Sequence, residues 1–305
     1  MNDAIVLEGV TKRFRNVVAV DHLDLAVPRE SVYGFIGPNG SGKTTTLRMI
    51  LRIFYPDNGR VVVLGNDHGD AADDRVGYLP EERGLYKKMR LTDAIRFFAT
   101  LKGMRNSKAE IAKWLERFDL SQWANSKIEA LSKGMAQKVQ FIAAVIAHPQ
   151  LVILDEPFSG LDPVNRDVLK DAVLDLRSQG TTIVFSTHDM KVAEQLCDTI
   201  FMIYHGKKVL DGTLDAIQAK YGEDTILIRT SAETDVLTQI RGVMRVNDLG
   251  REKELRLAPG IDPQGVLQSL LPRARVDRFE IVRPSLHDIF VRIAQPDSNG
   301  SVNHA

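Results

Sequence analysis

The sequence predicts an α/β protein built on a mainly parallel sheet, joined to a smaller α+β domain. Residues 151–154 and 181–186 are bare apolar runs of the kind that form strands buried on both faces. Residues 31–36 are a third such run, which ends in a glycine-rich turn and passes into apolar residues at helical spacing. Strands alternating with helices in this way imply a parallel core covered by helices. Past about Gly222 the elements shorten and change order, which marks the second domain.

Taken in order, residues 4–7 and 17–27 alternate or cluster β-forming side chains between charged ones, as strands near a sheet edge do. The run 31–36 is the next strand, and residues 44–54 form the helix after the turn. Residues 91–120 read as mainly helical, with Phe97, Phe98, Leu101, Ile111, Trp114, Leu115 and Phe118 on recurring faces. Trp114 and Phe118 are one turn apart and are expected in the core. Residues 133–147 form another helix, stopped by Pro149, and the strands 151–154 and 181–186 follow. In the second domain, residues 225–230, 242–248, 253–258 and 275–282 read as strands, and 232–241 and 263–271 as helices. That order, β-α-β-β-α-β, is the split unit of a ferredoxin-like fold. Residues 285–293 suit a closing helix and 295–305 a polar tail. The expected domains are therefore 1–220, with a helical insert at about 82–147, and 223–294.

Composition removes several classes of function. With 44% hydrophobic residues in a chain of 305, enough apolar surface is available to offset chain entropy, which excludes a disordered protein. Charge is balanced in both parts, 29 basic and 28 acidic residues in 1–220 and 11 and 12 in 221–305. Neither part is an electrostatic grip for nucleic acid, and no nucleic-acid partner is expected. The single Cys197 excludes a disulfide framework and suits a reducing compartment. The most apolar stretch, 141–154, is broken by His148, Pro149 and Gln150 and falls short of the roughly 18 apolar residues of a membrane span. The N-terminal residues lack a basic region followed by an apolar one, so secretion is not expected.

The chemistry is concentrated in two places. Gly37-Pro38-Asn39-Gly40-Ser41-Gly42-Lys43-Thr44 fits G-x-x-x-x-G-K-[ST] between an apolar strand and a helix, as a phosphate-binding loop requires. Its glycines let successive backbone N–H groups turn toward phosphate oxygens, and the helix N-terminus adds partial positive charge. Lys43 would reach the β- and γ-phosphates, and the Thr44 hydroxyl would coordinate Mg²⁺. The strand 151–154 runs into Asp155 and Glu156, which places two carboxylates at the edge where open α/β sheets bind ligands. Asp155 would hold Mg²⁺, directly or through water, and Glu156 would polarise an attacking water as general base. An Asp-Glu pair after a strand also serves simply to cap a helix, and the phosphate loop is what makes this one specific.

These residues resemble the ATP-binding cassette (ABC) family, the ATPase subunits that power membrane transporters. The resemblance spans about residues 4–220. Leu131-Ser132-Lys133-Gly134-Met135 is similar to the family signature L-S-G-G-Q, Ser159-Gly160-Leu161-Asp162 to its D-loop, and Ser186-Thr187-His188-Asp189 to its switch-histidine segment. It implies a P-loop NTPase cassette with a parallel-sheet core, an antiparallel β edge subdomain and an α-helical insert. It also implies a homodimer, in which each ATP lies between one chain's phosphate loop, Gly37 to Thr44 with the adjoining Thr45, and the other chain's Ser132 and Gly134. His188 would contact the γ-phosphate, Asp162 would couple the two sites, and Lys43 and Glu156 complete the catalytic set. Phe14 matches the aromatic that stacks on adenine, with an ordinary core phenylalanine as the alternative.

Three positions depart from the common family pattern. Lys133 and Met135 replace Gly and Gln in the signature, and Glu81 stands where a loop glutamine is expected. Glu81 would still ligate Mg²⁺ or a water, beside Thr44 and Asp155. Such variants resemble those of bacterial sodium-extrusion and drug-exporter ATPases, and residues 284–290, Pro-Ser-Leu-His-Asp-Ile-Phe, resemble the closing segment of their C-terminal extension. The resemblance implies an ATP- and Mg²⁺-dependent exporter subunit, cytoplasmic and peripheral on the inner face of the bacterial membrane, driving a separate permease. The alternative is a non-hydrolysing or regulatory cassette uncoupled from transport. The C-terminal domain would supply either dimer contacts or a small-molecule sensor.

Overall fold

The structure, a computed structural model, describes residues 3–67, 74–82, 84–221, 225–258 and 260–294. The expected tail 295–305 lies outside the described residues. The chain divides into two compact units, Met1–Thr213 and Leu214–Ala305.

In chain order the first unit comprises β1 (Asp3–Phe14), β2 (Val17–Pro28), β3 (Val32–Ile36), α1 (Lys43–Ile50), β4 (Asn58–Val63), β5 (Val76–Leu79), α2 (Leu91–Leu101) and α3 (Lys108–Arg117). It continues with α4 (Lys133–Val145), β6 (Leu151–Asp155), α5 (Pro163–Ser178), β7 (Thr182–Thr187), α6 (Met190–Leu196), β8 (Thr199–Tyr204) and β9 (Lys207–Gly212). The central sheet has the order β5-β6-β7-β3-β8-β9. Its first five strands are parallel and β9 closes the edge antiparallel to β8. Every residue of β3, β6 and β7 is buried, including Asp155 at the end of β6 and the three hydroxyl residues of β7.

A second, antiparallel sheet of order β2-β1-β4 forms the edge subdomain. Leu7, Val10, Leu23 and Val63 from that sheet share a core with Leu47 of α1 and with Tyr33, Phe35 and Phe201 of the central sheet. Helices α2 to α5 form a separate core with Leu154 and Phe185. The helical insert contains that core's aromatic centre, where Trp114 and Phe118 stack at 5.7 Å and both meet Phe141 edge-on. Both rings are buried, as expected.

Two helices differ from the expected lengths. The helix expected at 44–54 stops at Ile50, because the chain turns back with Arg52 at a φ of 57°. The stretch 91–120 is two helices, α2 and α3, separated where Gly103 takes a φ of 77°.

The second unit comprises α7 (Leu214–Tyr221), β10 (Thr225–Thr230), α8 (Thr234–Thr238), β11 (Val243–Asp248), β12 (Lys253–Leu257), α9 (Pro263–Leu270), β13 (Val276–Val282) and α10 (Leu286–Ala294). Its sheet order is β11-β12-β10-β13, with every neighbouring pair antiparallel. Counted within the β-α-β-β-α-β unit this is the ferredoxin-like order, with the first and third strands in the centre. Ile226, Ile228, Leu255 and Leu257 pack beneath Leu237, Val266 and Leu270. Helix α7, which the sequence reading grouped with the first domain, is tied into the second. Gln218 donates to the Pro284 carbonyl at 3.0 Å, and Arg283 pairs with Asp215 at 2.9 Å.

Candidate functional site

The phosphate loop is shaped by what its backbone touches. A Cβ on Gly37 would lie 2.3 Å from the Ile203 carbonyl oxygen, and one on Gly42, at φ 112°, would lie 2.5 Å from that of Ala19. Only glycine fits at either position. Gly42 is also the N-cap of α1 and provides no side-chain cap, so the first N–H groups of the helix remain available to an anion. The buried Lys43 ammonium donates to the carbonyls of Gly37 at 2.7 Å and Pro38 at 3.2 Å, and lies 3.8 Å from Glu156 Oε1. Burial holds its pKa below the ordinary lysine value, opposed by the nearby carboxylates of Glu156, Asp155 and Glu81.

β6 delivers the two carboxylates. Ser186, near the end of the neighbouring β7, ties the first carboxylate to the backbone of the second residue: its hydroxyl donates to Asp155 Oδ1 and accepts from the Glu156 backbone N–H at 3.0 Å. Thr44 Oγ1 donates to the same Asp155 oxygen at 3.3 Å. His188 Nδ1 sits 3.0 and 3.1 Å from the two oxygens of Glu156. An ionised carboxylate only accepts, so facing one places the histidine proton on Nδ1. Glu156 holds a φ of 50°, a left-handed conformation that costs a non-glycine residue about 1–3 kcal/mol and is found where the surroundings over-determine it.

A cleft of about 480 Å³ brings Asn39, Gly40, Gly42, Lys43, Thr44 and Thr45 together with Glu81 and Glu156. Pro38, Ser41 and Asp155 lie just behind its wall, in contact with those residues through the loop and Thr44. Phe14 does not line the cleft, but its strand partner Val17 does. It is 40% exposed with its ring edge-on to Phe54 at 5.4 Å, so it is a surface aromatic rather than a core one. Ser132, Gly134 and Asp162 are also away from the cleft lining. Ser132 caps α4 by accepting from Met135 N at 3.2 Å, and Asp162 caps α5 by accepting from Asn165 N at 3.0 Å. The Asn165 bonds hold the Asp162 carboxyl below the usual range. Gly134 lies against Leu161, so the signature and the D-loop form one neighbouring surface.

Sequence reasoning missed other parts of the site. The bridging role of Ser186 was hidden in a stretch read only for its histidine. Ala19 lines the cleft from β2, and His205 and Gly206 line it through the β8–β9 turn, for which the one signal was an isolated glycine between two β-forming runs.

A family profile described as ABC transporter matches residues 20–159. A second, described as ATP-binding protein DrrA1-3-like, C-terminal domain, matches residues 212–294. The uncharacterized ABC transporter ATP-binding protein YhaQ of Bacillus subtilis is 40% identical over 94% of this chain and 97% of its own length. The chain belongs to the ABC transporter ATP-binding family. The Nod factor export ATP-binding protein I of a Rhizobium species is 34% identical over 95% of this ABC subunit and 96% of its own length. A solved structure titled as the ATP binding subunit of an ABC transporter superposes with a TM-score of 0.68 at 28% identity, covering 72% of this chain and 93% of that one. The fold is thus the ABC ATPase cassette with an additional C-terminal domain.

The family's ligands, ATP with Mg²⁺, fit the residues present. Asp155 Oδ2 and Ser41 Oγ are buried without a hydrogen-bond partner among the described residues, and Thr44 and Asp155 supply hard oxygen donors of the kind Mg²⁺ takes. The cradle at Gly37 and Gly42 is shaped by backbone, and one buried ammonium stands at its centre. Among the described residues no helix is long and apolar enough to cross a membrane.

Proposed function

We propose that this ABC subunit hydrolyses ATP and drives a separately encoded permease of an exporter. The observation that carries the reading is Glu156, held by His188, Lys43 and Ser186 beside the phosphate loop, where its carboxylate faces the cleft. The loop N–H groups and Lys43 bind the phosphates, and the two carbonyls now holding Lys43 are weaker partners for an ammonium than a phosphate oxygen. Thr44 and Asp155 would hold Mg²⁺, with Glu81, which lines the same cleft, adding a third oxygen ligand. The ion, when bound, would neutralise charge developing on the phosphates. Glu156 takes a proton from the attacking water, and His188 orients the carboxylate and reaches toward the γ-phosphate. Phe14 offers its exposed ring to adenine.

Ser132, Gly134 and Asp162 lie away from the cleft in one chain, and we assign them to the neighbouring site of a homodimer. ATP-driven closure of that dimer is transmitted to the permease through the helical insert. Export as the direction is supported by the relative named for Nod factor export. The subunit would work in the cytoplasm, peripheral on the inner face of the bacterial membrane. The departures at Lys133, Met135 and Glu81 favour one second reading, a cassette that binds ATP and switches its partner without turnover. Phosphate release by the purified protein, alone and with its permease, separates the two. Turnover in either supports the first reading, and binding without turnover in both supports the second.

A further inference from the structure

Helix α4 begins at the signature and then passes behind both carboxylate loops. Gln137 is buried and donates to the carbonyl of Pro157, the residue after Glu156, at 3.0 Å. One turn on, Gln140 is 4% exposed, and its amide nitrogen donates to the carbonyls of Pro80 at 2.9 Å and Glu82 at 3.2 Å. These carbonyls flank Glu81. A further turn on, the Ala144 carbonyl lies so close to β5 that a Cβ on Gly77 would come within 2.2 Å of it. The segment from β5 to the Glu81 loop is thus pressed on α4 at one end and hydrogen-bonded to it at the other.

Two carbonyl acceptors can be satisfied only by the NH₂ side of the amide, which fixes its orientation. That orientation leaves Gln140 Oε1 buried without a hydrogen-bond partner among the described residues. A buried unpaired acceptor is costly, and an amide that bears this cost to hold a loop is a candidate for a role beyond packing. Leucine would fill similar space at this position without that cost.

We infer that Gln140 is a positioning residue. It clamps the loop 80–82 on the signature helix so that the Glu81 carboxylate faces the nucleotide cleft, and it ties the placement of that carboxylate to the position of α4. A shift of α4 when its signature is engaged therefore carries Glu81 with it. The inference rests on the proposed assignment of Glu81 as a divalent-cation ligand.

The test compares the full chain with Gln140→Leu and Gln140→Asn. The first removes the donors, and the second keeps an amide too short to reach both carbonyls. Amide hydrogen exchange across residues 79–82 is measured without nucleotide, and Mn²⁺ affinity is read by electron paramagnetic resonance with a non-hydrolysable ATP analogue. Both variants should exchange faster in that segment, and Mn²⁺ should bind about tenfold more weakly. Analogue affinity in EDTA should stay within about twofold, a split that general destabilisation does not produce. A folded variant with unchanged loop exchange and unchanged Mn²⁺ affinity overturns the inference, and Gln140→Asn decides it if Gln140→Leu does not fold. Glu81→Ala, which leaves no side-chain oxygen, is the control for the underlying assignment. If it leaves Mn²⁺ affinity intact, the ligand reading fails, while loop exchange in the Gln140 variants still decides the clamp.

Discussion

His188 and Glu156 face each other directly, with Nδ1 of the histidine 3.0 Å from one carboxylate oxygen and 3.1 Å from the other. The carboxylate is buried, whereas the His188 side chain is 58% exposed and does not line the cleft, so the histidine fixes Glu156 from outside the cleft lining. Glu156→Gln keeps the shape but removes the base, and phosphate release should fall at least about a hundredfold. Titration with a fluorescent nucleotide should show binding retained. His188→Ala should lower kcat as well, with little change in nucleotide affinity.

Ser186 is fully buried between Asp155 and the Glu156 backbone. Ser186→Ala leaves one buried N–H without its acceptor and one carboxylate oxygen short of a donor. Denaturant unfolding should show a loss of about 1–3 kcal/mol, and the Mg²⁺ concentration for half-maximal turnover should rise.

Gly77 sets how closely β5 approaches α4. With a Cβ only 2.2 Å from a backbone carbonyl, Gly77→Ala forces the two elements apart and should cost about 1–3 kcal/mol or more in calorimetry. Gly103→Ala is the comparison, because nothing lies within 4 Å and only its positive φ resists, at about 1–2 kcal/mol.

Alkaline pH should destabilise the fold through two acids, the buried Tyr33 phenol and the half-buried Cys197 thiol. Burial raises the pKa of the Cys197 thiol and, with Asp211 beside it, that of the Tyr33 phenol, from ordinary values of 9.0 and 10.0. The fold favours the protonated forms, whereas the unfolded chain releases these protons at the ordinary values. Stability is therefore fully present below pH 9.0 and falls as the pH rises beyond it. Thermal melting from pH 8 to 10.5 should show this decline, with a shallower slope in Cys197→Ala. The native thiol should also label slowly with maleimide, since its thiolate is disfavoured.

Much of this arrangement was legible before the fold was known, for definite reasons. β6 and β7 lie between helices on both faces, so Val152, Ile153 and Val184 needed no alternation to be read as strand. The phosphate loop was legible because glycine and lysine are demanded there by backbone crowding and charge. Strands β4 and β9 start with exposed charged or polar residues and gave no comparable signal. Gln137 and Gln140 were equally hidden, because their acceptors are carbonyls 20 and about 60 residues away in sequence, and nothing local distinguishes a buried amide from a solvated one. Phe14 was matched to the adenine-stacking aromatic from the sequence, with a core phenylalanine as the alternative, and its exposure removes only that alternative.

The central claim is that one chain's phosphate loop works with the other chain's signature. Lys43→Ala removes the loop cation, and Ser132→Arg fills the exposed start of α4, at a capping cost of about 1 kcal/mol. Each variant alone should release no phosphate. Mixed in equal amounts they form a heterodimer with one intact pairing of loop and signature, and turnover should return. A mixture that stays inactive while native mass spectrometry shows the ATP-bound heterodimer, or full turnover by Ser132→Arg alone, contradicts the account.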